Sequence, residues 1–136
     1  MTASWVHLLT DVADAGFGTD RLFQQGQALI RRPRERVHVA AVAPLGERVR
    51  ASAALAAVGR RDDLDFLADP SGARVTLPAY AVLDLSAEVR LWSGGGRDLG
   101  LRLRLDNALD EDYREVANFP APGRTISAAL RVGAGL

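Results

Sequence analysis

Asp98-Leu99-Gly100-Leu101-Arg102-Leu103-Arg104-Leu105-Asp106 alternates without a slip, leucine on one parity and glycine or arginine on the other. Successive side chains of a strand point to opposite faces, so this stretch reads as a strand with one oily and one wet side. Tyr80–Trp92 repeats the pattern: Ala81, Leu83, Leu85, Ala87, Val89 and Leu91 oppose Asp84, Ser86, Glu88 and Arg90. So does Arg124–Leu136, where Ile126, Ala128, Leu130, Val132 and Leu136 oppose Thr125, Ser127 and Arg131. Three runs of this fidelity predict an antiparallel sheet.

Three further strands are expected at about Ala3–Asp11, Val37–Ala43 (with a polar lead-in from Arg34) and Arg48–Arg60. The last has competition, because Val49 to Val58 is alanine-rich and has good helix propensity. Thr19–Ile30 is ambiguous in the same way, although Gly26 weakens a helix there. The fold class read from the chain is all-β: an antiparallel meander of about six strands in one unit, residues 1–136.

The connections add a rhythm. Short turns at Pro44-Leu45-Gly46 and Ser93-Gly94-Gly95-Gly96-Arg97 alternate with long loops at about 12–33, 61–79 and 108–123. A soluble meander has no reason for such alternation, since both ends meet the same solvent. Outer-membrane barrels have it, with brief turns on one side of the membrane and extended loops on the other. The expected strand lengths also suit a tilted membrane strand of about 9–11 residues better than a soluble one of about 5–6.

Bulk composition closes off other classes. Seventeen cations, all of them arginine, balance seventeen anions, so there is no electrostatic footprint for nucleic acid. Without cysteine, neither a disulfide framework nor a thiolate site is available. The start, Met1 to His7, lacks the basic and apolar regions of a signal peptide. The longest apolar run, Ala53 to Gly59, is far short of the roughly 18–20 residues of a membrane helix, so a membrane assignment rests on strands.

Four blocks in order resemble the C-terminal end of TonB-dependent outer-membrane receptors, the barrels that import cobalamin and ferric siderophores. They are Arg31-Arg32-Pro33-Arg34, Leu77-Pro78-Ala79-Tyr80-Ala81-Val82-Leu83-Asp84-Leu85, Asn107-Ala108-Leu109-Asp110-Glu111-Asp112-Tyr113 and Ala121-Pro122-Gly123-Arg124-Thr125. The resemblance covers essentially the whole chain. It implies an incomplete part of a transmembrane β-barrel, since such receptors have about 22 strands and a plug. It implies the Gram-negative outer membrane as location, and as partners the outer-membrane lipid and the remaining barrel and plug. The TonB complex would be reached only through that plug, and no cofactor is implied. The role would be that of a barrel wall in energy-coupled uptake, not functional by itself. The family's final residue is usually aromatic, whereas this chain ends in Leu136, which puts recognition by the insertion machinery in question.

On this reading Leu83, Leu85, Leu99, Leu101, Leu103, Leu105, Ile126, Leu130 and Val132 face lipid. Asp84, Glu88, Arg90, Arg102, Arg104 and Arg131 face the lumen, pairing with one another or with a plug. Among the motif residues Asn107, Leu109, Asp110, Asp112, Tyr113, Pro122, Gly123 and Arg124, all roles are structural. Pro122-Gly123 sets a turn, with glycine allowing positive φ. Asn107 and Asp110 cap backbone N–H groups at a strand exit. Tyr113 suits the membrane interface. Tyr80 and Trp92 stand at strand ends where girdle aromatics belong, but on the wet parity; a bulge would be needed to turn either outward.

Other residues carry weaker signals. Asp62, Asp63, Asp65 and Asp69 have oxygen donors suited to calcium but no EF-hand pattern, so a solvated acidic loop is expected. Arg31, Arg32, Arg34 and Arg36 suit lipid phosphates or an anionic ligand, with a solvated strand entrance as the plainer reading. His7 and His38 are expected not to bind metal, His38 facing the wet side. Ser93-Gly94-Gly95-Gly96 lacks the lysine and helix of a phosphate loop. No nucleophile–base pair is visible, so an enzyme is not expected. The alternative function is a small soluble β-barrel or sandwich that binds a ligand, its leucine face turned inward.

Overall fold

A computed structural model describes residues 1–14 and 24–134. It is all-β: β1 (Thr2–His7), β2 (Glu35–Leu45), β3 (Val49–Val58), β4 (Arg61–Asp65), β5 (Ala73–Leu77), β6 (Tyr80–Gly94), β7 (Arg97–Asp106), β8 (Arg114–Val116), β9 (Phe119–Pro120) and β10 (Thr125–Ala134). Six strands form one antiparallel sheet in the order β1-β2-β3-β6-β7-β10, which is a meander. The pairs β4–β5 and β8–β9 are separate two-stranded sheets inside the second and third long loops.

Several expectations are corrected. The first strand ends at His7 rather than Asp11, with one more backbone bond from Leu8 to the Arg34 carbonyl. The third strand is borne out over Val49–Val58 against the helix that competed for it, because it is paired on both sides by β2 and β6. Ten ladder partners on each side outweigh an alanine propensity worth a few tenths of a kcal/mol per residue. Of Thr19–Ile30, the first part lies outside the described residues, and residues 24–30 form turns. The stretch 61–79 is largely the β4–β5 hairpin rather than a loop.

The short turns follow from their glycines. Gly95 and Gly96 both have positive φ, 59° and 71°, and connect the paired Gly94 and Arg97. Positive φ at both central positions is the type I′ hairpin turn, whose twist matches that of the strands. Gly46 (φ 77°) opens the other turn, after Leu45 pairs with Val49.

Directly paired residues share a face, so the register traces each face across the sheet. On one face lie Trp5, Val37, Ala57 and Ala81, then Ala3, Val39, Leu55 and Leu83. Toward the short turns follow Ala53, Leu85, Leu105 and Ile126, then Ala51, Ala87, Leu103 and Ala128, then Val49, Val89, Leu101 and Leu130. Leu99 and Val132 complete it. No charged residue interrupts this face between the His7–Glu35 pair at one end and Arg97 at the other.

It is nevertheless uncovered. Ile126, Leu130 and Val132 are 79%, 70% and 78% exposed. Side-chain burial is concentrated elsewhere: Val12, Val58, Leu64, Leu77, Tyr80 and Ala117 are buried together with Arg61, Asp63 and Asn107. All lie at the long-loop end. Among the described residues the core is therefore a cluster at the long-loop end, where β4, β5 and the loops meet the ends of β3 and β6, and the rest of the sheet is a single layer.

Candidate functional site

Two surfaces and one hub carry the chemistry. The apolar face has a bulge at its short-turn end. Arg90 pairs with Gly100 and Trp92 with Leu99, so Leu91 is the extra residue. From Trp92 onward the strand is thus shifted by one parity. Trp92 joins Leu99 on the apolar face, half-exposed, while Leu91 drops out of the alternation in which it was expected. Trp5, also exposed, stands on the same face near the long loops, its ring 6.1 Å from that of His7. The two tryptophans bracket the apolar band.

Tyr80 does not join them. It pairs with Val58 on the opposite face, stacks on Tyr113 (centroids 4.3 Å apart) and donates to Glu115 Oε1 at 3.0 Å. The Arg61 guanidinium lies 5.2 Å above its ring. Tyr113 is accordingly half-buried against another tyrosine rather than at an interface, a correction to its expected place.

The polar face carries Asp84, Glu88, Arg90, Arg102, Arg104 and Arg131; Arg90 donates to the Glu47 carbonyl, and the others pair within the sheet. Arg102 donates to its register partner Glu88, Arg104 lies 4.0 Å from Asp84 and bonds Asp106, and Arg131 bonds Asp98 at 3.1 Å. Ser52 and Ser86 share a hydrogen bond at 2.7 Å. His38 lies on this face, in register with Ser4 and Ala56. Near the short turns the face hollows into a cleft of about 400 Å³ lined by Arg48, Arg50, Glu88, Arg90, Arg102 and Arg131 among others. Exposed pairs of this kind contribute little to stability, so they neutralise the face more than they stabilise it.

The hub is Asp63, and its environment overturns the expected solvated acidic loop. Its side chain is fully buried. Oδ1 accepts from Arg31 Nε at 2.7 Å and from the Leu64 N–H at 2.9 Å, and Oδ2 accepts from the Ala117 N–H at 2.7 Å. One carboxylate thus joins all three long loops. Around it Asp65 accepts from Asn118, Arg61 donates to the Arg114 carbonyl, and Arg74 bridges Asp62 and the Ala28 carbonyl. Arg31 is therefore an ion-pair partner rather than part of a solvated entrance. Among the described residues no cluster of His, Cys, Asp or Glu could hold a metal.

Burial by itself would raise the Asp63 carboxyl, but the Ala117, Arg31 and Leu64 donors outweigh it and hold the group below its ordinary value of 3.8. The unfolded chain then binds this proton more readily, so the stabilisation is complete above pH 3.8 and is lost as pH falls through the lower folded value. We expect the near-ultraviolet signal of the stacked Tyr80–Tyr113 pair to persist at pH 3.8 and to disappear in stronger acid. Asp63→Asn should abolish that acid transition; an unchanged titration in the variant would assign it elsewhere.

The motif residues at 107–124 act as a strand-exit clasp. Asn107, Asp110 and Asn118 have left-handed backbones, with φ of 50°, 55° and 67°. Asn107 is buried; its Oδ1 accepts from the Glu111 N–H, and its Nδ2 donates to the Glu111 and Pro122 carbonyls. Asp110 accepts from the Arg124 N–H and pairs with its guanidinium at 3.1 Å. Gly123 is not a positive-φ residue, contrary to expectation; a Cβ there would approach Asp110 Oδ1 to 3.3 Å. Leu109 and Asp112 are exposed and take no part. Asp110→Ala should lower the midpoint of urea unfolding by about half a molar through loss of this cap. An unchanged midpoint would make the clasp incidental.

No protein-family model matches the chain, and no curated protein matches it. The functional reading accordingly rests on the geometry and on the four sequence blocks.

Proposed function

We propose that this chain is the C-terminal wall segment of a TonB-dependent outer-membrane receptor, a partial β-barrel serving energy-coupled uptake of cobalamin or ferric-siderophore ligands. One observation carries the membrane part: a charge-free apolar face runs unbroken across six strands, and no second layer covers it among the described residues. Five gaps of about 4.8 Å across the sheet and about 27 Å along β3 give a footprint on the order of 650 Å². The largest apolar patch of a typical soluble monomer is about 300–600 Å². At a strand tilt of about 40–45° that length spans about 20 Å, close to the roughly 25 Å apolar band of such barrels. Trp5 and Trp92 at its two ends act as girdle residues.

The receptor part rests on the four motif blocks and on the long loops gathered at one end. Asp110, Arg124, Asn107 and the Pro122 carbonyl tie two of those blocks together, which gives their joint presence a physical reason. Among the described residues the edge strands β1 and β10 each offer a free ladder, which hydrocarbon does not tolerate, so on this reading further strands complete the wall. The plug would meet the polar face.

The soluble-module alternative needs the leucine face covered. The deciding experiment refolds the chain in buffer and in detergent micelles. A strand spectrum with protected amides only in micelles supports the wall; a cooperatively folded monomer in plain buffer overturns it.

A further inference from the structure

Resting on the membrane reading, we infer that the rim above Trp5 holds a phosphate-bearing lipid headgroup. A cleft of about 510 Å³ opens at the long-loop end, lined by His7, Arg32, Arg34, Glu35, Arg60 and Asp62 among others. Its two acids have neighbours of their own: Glu35 Oε1 lies 3.5 Å from His7 Nδ1, an ion pair when the imidazole is protonated, and Asp62 accepts from Arg74 and from the Thr76 hydroxyl at 2.9 Å each. Arg32, Arg34 and Arg60 are exposed and form no ion pair among the described residues. Three guanidinium groups thus stand around one hollow with no anion assigned to them.

Their place selects the anion. His7 and Glu35 are paired on the apolar side of the sheet, one step beyond Trp5 and Val37, so the cleft continues the oily face upward. A molecule with acyl chains along Trp5, Val37 and Val39 would bring its polar head to this hollow. Guanidinium forks match phosphate oxygens with paired, charge-assisted bonds, and a phosphomonoester carries enough charge to meet three of them. The commitment is to that lipid headgroup rather than to free phosphate, because the cleft's own His7 and Glu35 stand one register step beyond Trp5 and Val37 on the apolar face.

The test uses the full chain with Trp92→Phe, leaving Trp5 as the reporter, in micelles doped with brominated phosphatidic acid or brominated phosphatidylcholine. Trp5 should be quenched at about tenfold lower phosphatidic acid than phosphatidylcholine. The preference should vanish in R32Q/R34Q/R60Q, weaken in R32K/R34K/R60K, which keeps the charge but not the fork, and survive in R48Q/R50Q/R97Q at the other end. Equal quenching of the wild-type chain by both lipids overturns the headgroup site while leaving the membrane face intact. No quenching by either removes the membrane reading and the site together. Displacement by inorganic phosphate at concentrations matching the lipid reassigns the cleft to a free anion and overturns the lipid.

Discussion

Asp63→Ala is expected to cost about 2–6 kcal/mol, the largest effect of any single substitution at the loop end, because it orphans the buried Leu64 and Ala117 N–H groups. The carboxylate is fully buried and accepts three hydrogen bonds, from side chain Arg31 and from backbone Leu64 and Ala117. Removing it leaves the Ala117 N–H, itself in a buried residue, without its acceptor. A buried donor so orphaned costs about 1–3 kcal/mol on its own. Arg31 is half-exposed and regains water, so its share is smaller. Asn at this position keeps the volume and one acceptor but loses the charge, and should fall between. The loss should also be local. Hydrogen exchange should quicken across β4, β5 and residues 114–117 while β6 and β7 stay protected by their ladder. A uniform rise across the sheet, or a change below 1 kcal/mol in denaturant unfolding, would mean that the three loops hold together without this residue.

What could be read from the residues alone follows the range of the signal. Alternation is local, with a period of two, and so the six sheet strands, their consecutive order and the two-face division were visible in stretches such as Leu99–Leu105. The long-and-short rhythm of connections was equally plain, since glycine pairs mark hairpin turns by themselves. Asp63 was not legible because its partners lie 32 and 54 residues away, and Arg61-Asp62-Asp63-Leu64-Asp65 looks like a hydrated run. A signal did exist: two five-residue stretches, Arg61–Asp65 and Ala73–Leu77, flank the turn residues Asp69-Pro70-Ser71-Gly72, the spacing of a hairpin. The bulge at Leu91 was beyond the sequence for another reason. Where two residues face one is decided by the register with β7; Trp92 on the wet parity hinted at a bulge, but nothing in Arg90-Leu91-Trp92 fixes its position. The same limit applied to Gly123, whose small size answers a side chain arriving from Asp110 rather than a turn geometry.

Leu103→Arg should destabilise the chain in lipid by about 2–4 kcal/mol, the cost of an arginine near the middle of a barrel's hydrocarbon band. Leu103 sits in the central rows of the apolar face, between Ala87 of β6 and Ala128 of β10, with Leu101 and Leu105 two residues either side. Small neighbours leave the guanidinium no acid and no carbonyl to reach. The matched control is Arg104→Leu, one residue away on the other face. That change loses an exposed pair with Asp106 and a 4.0 Å contact with Asp84, and should leave stability nearly unchanged. The asymmetry between adjacent positions is the physical content of the two-face division, and urea titration of the chain refolded into vesicles measures it. The same Leu103→Arg in plain buffer distinguishes the environments. If acyl chains solvate this face, the substitution should improve solubility of the unfolded chain and harm only the lipid-inserted form. If instead the face packs inward in water, Leu103→Arg should unfold a soluble protein, and the preference for lipid would be wrong at its root.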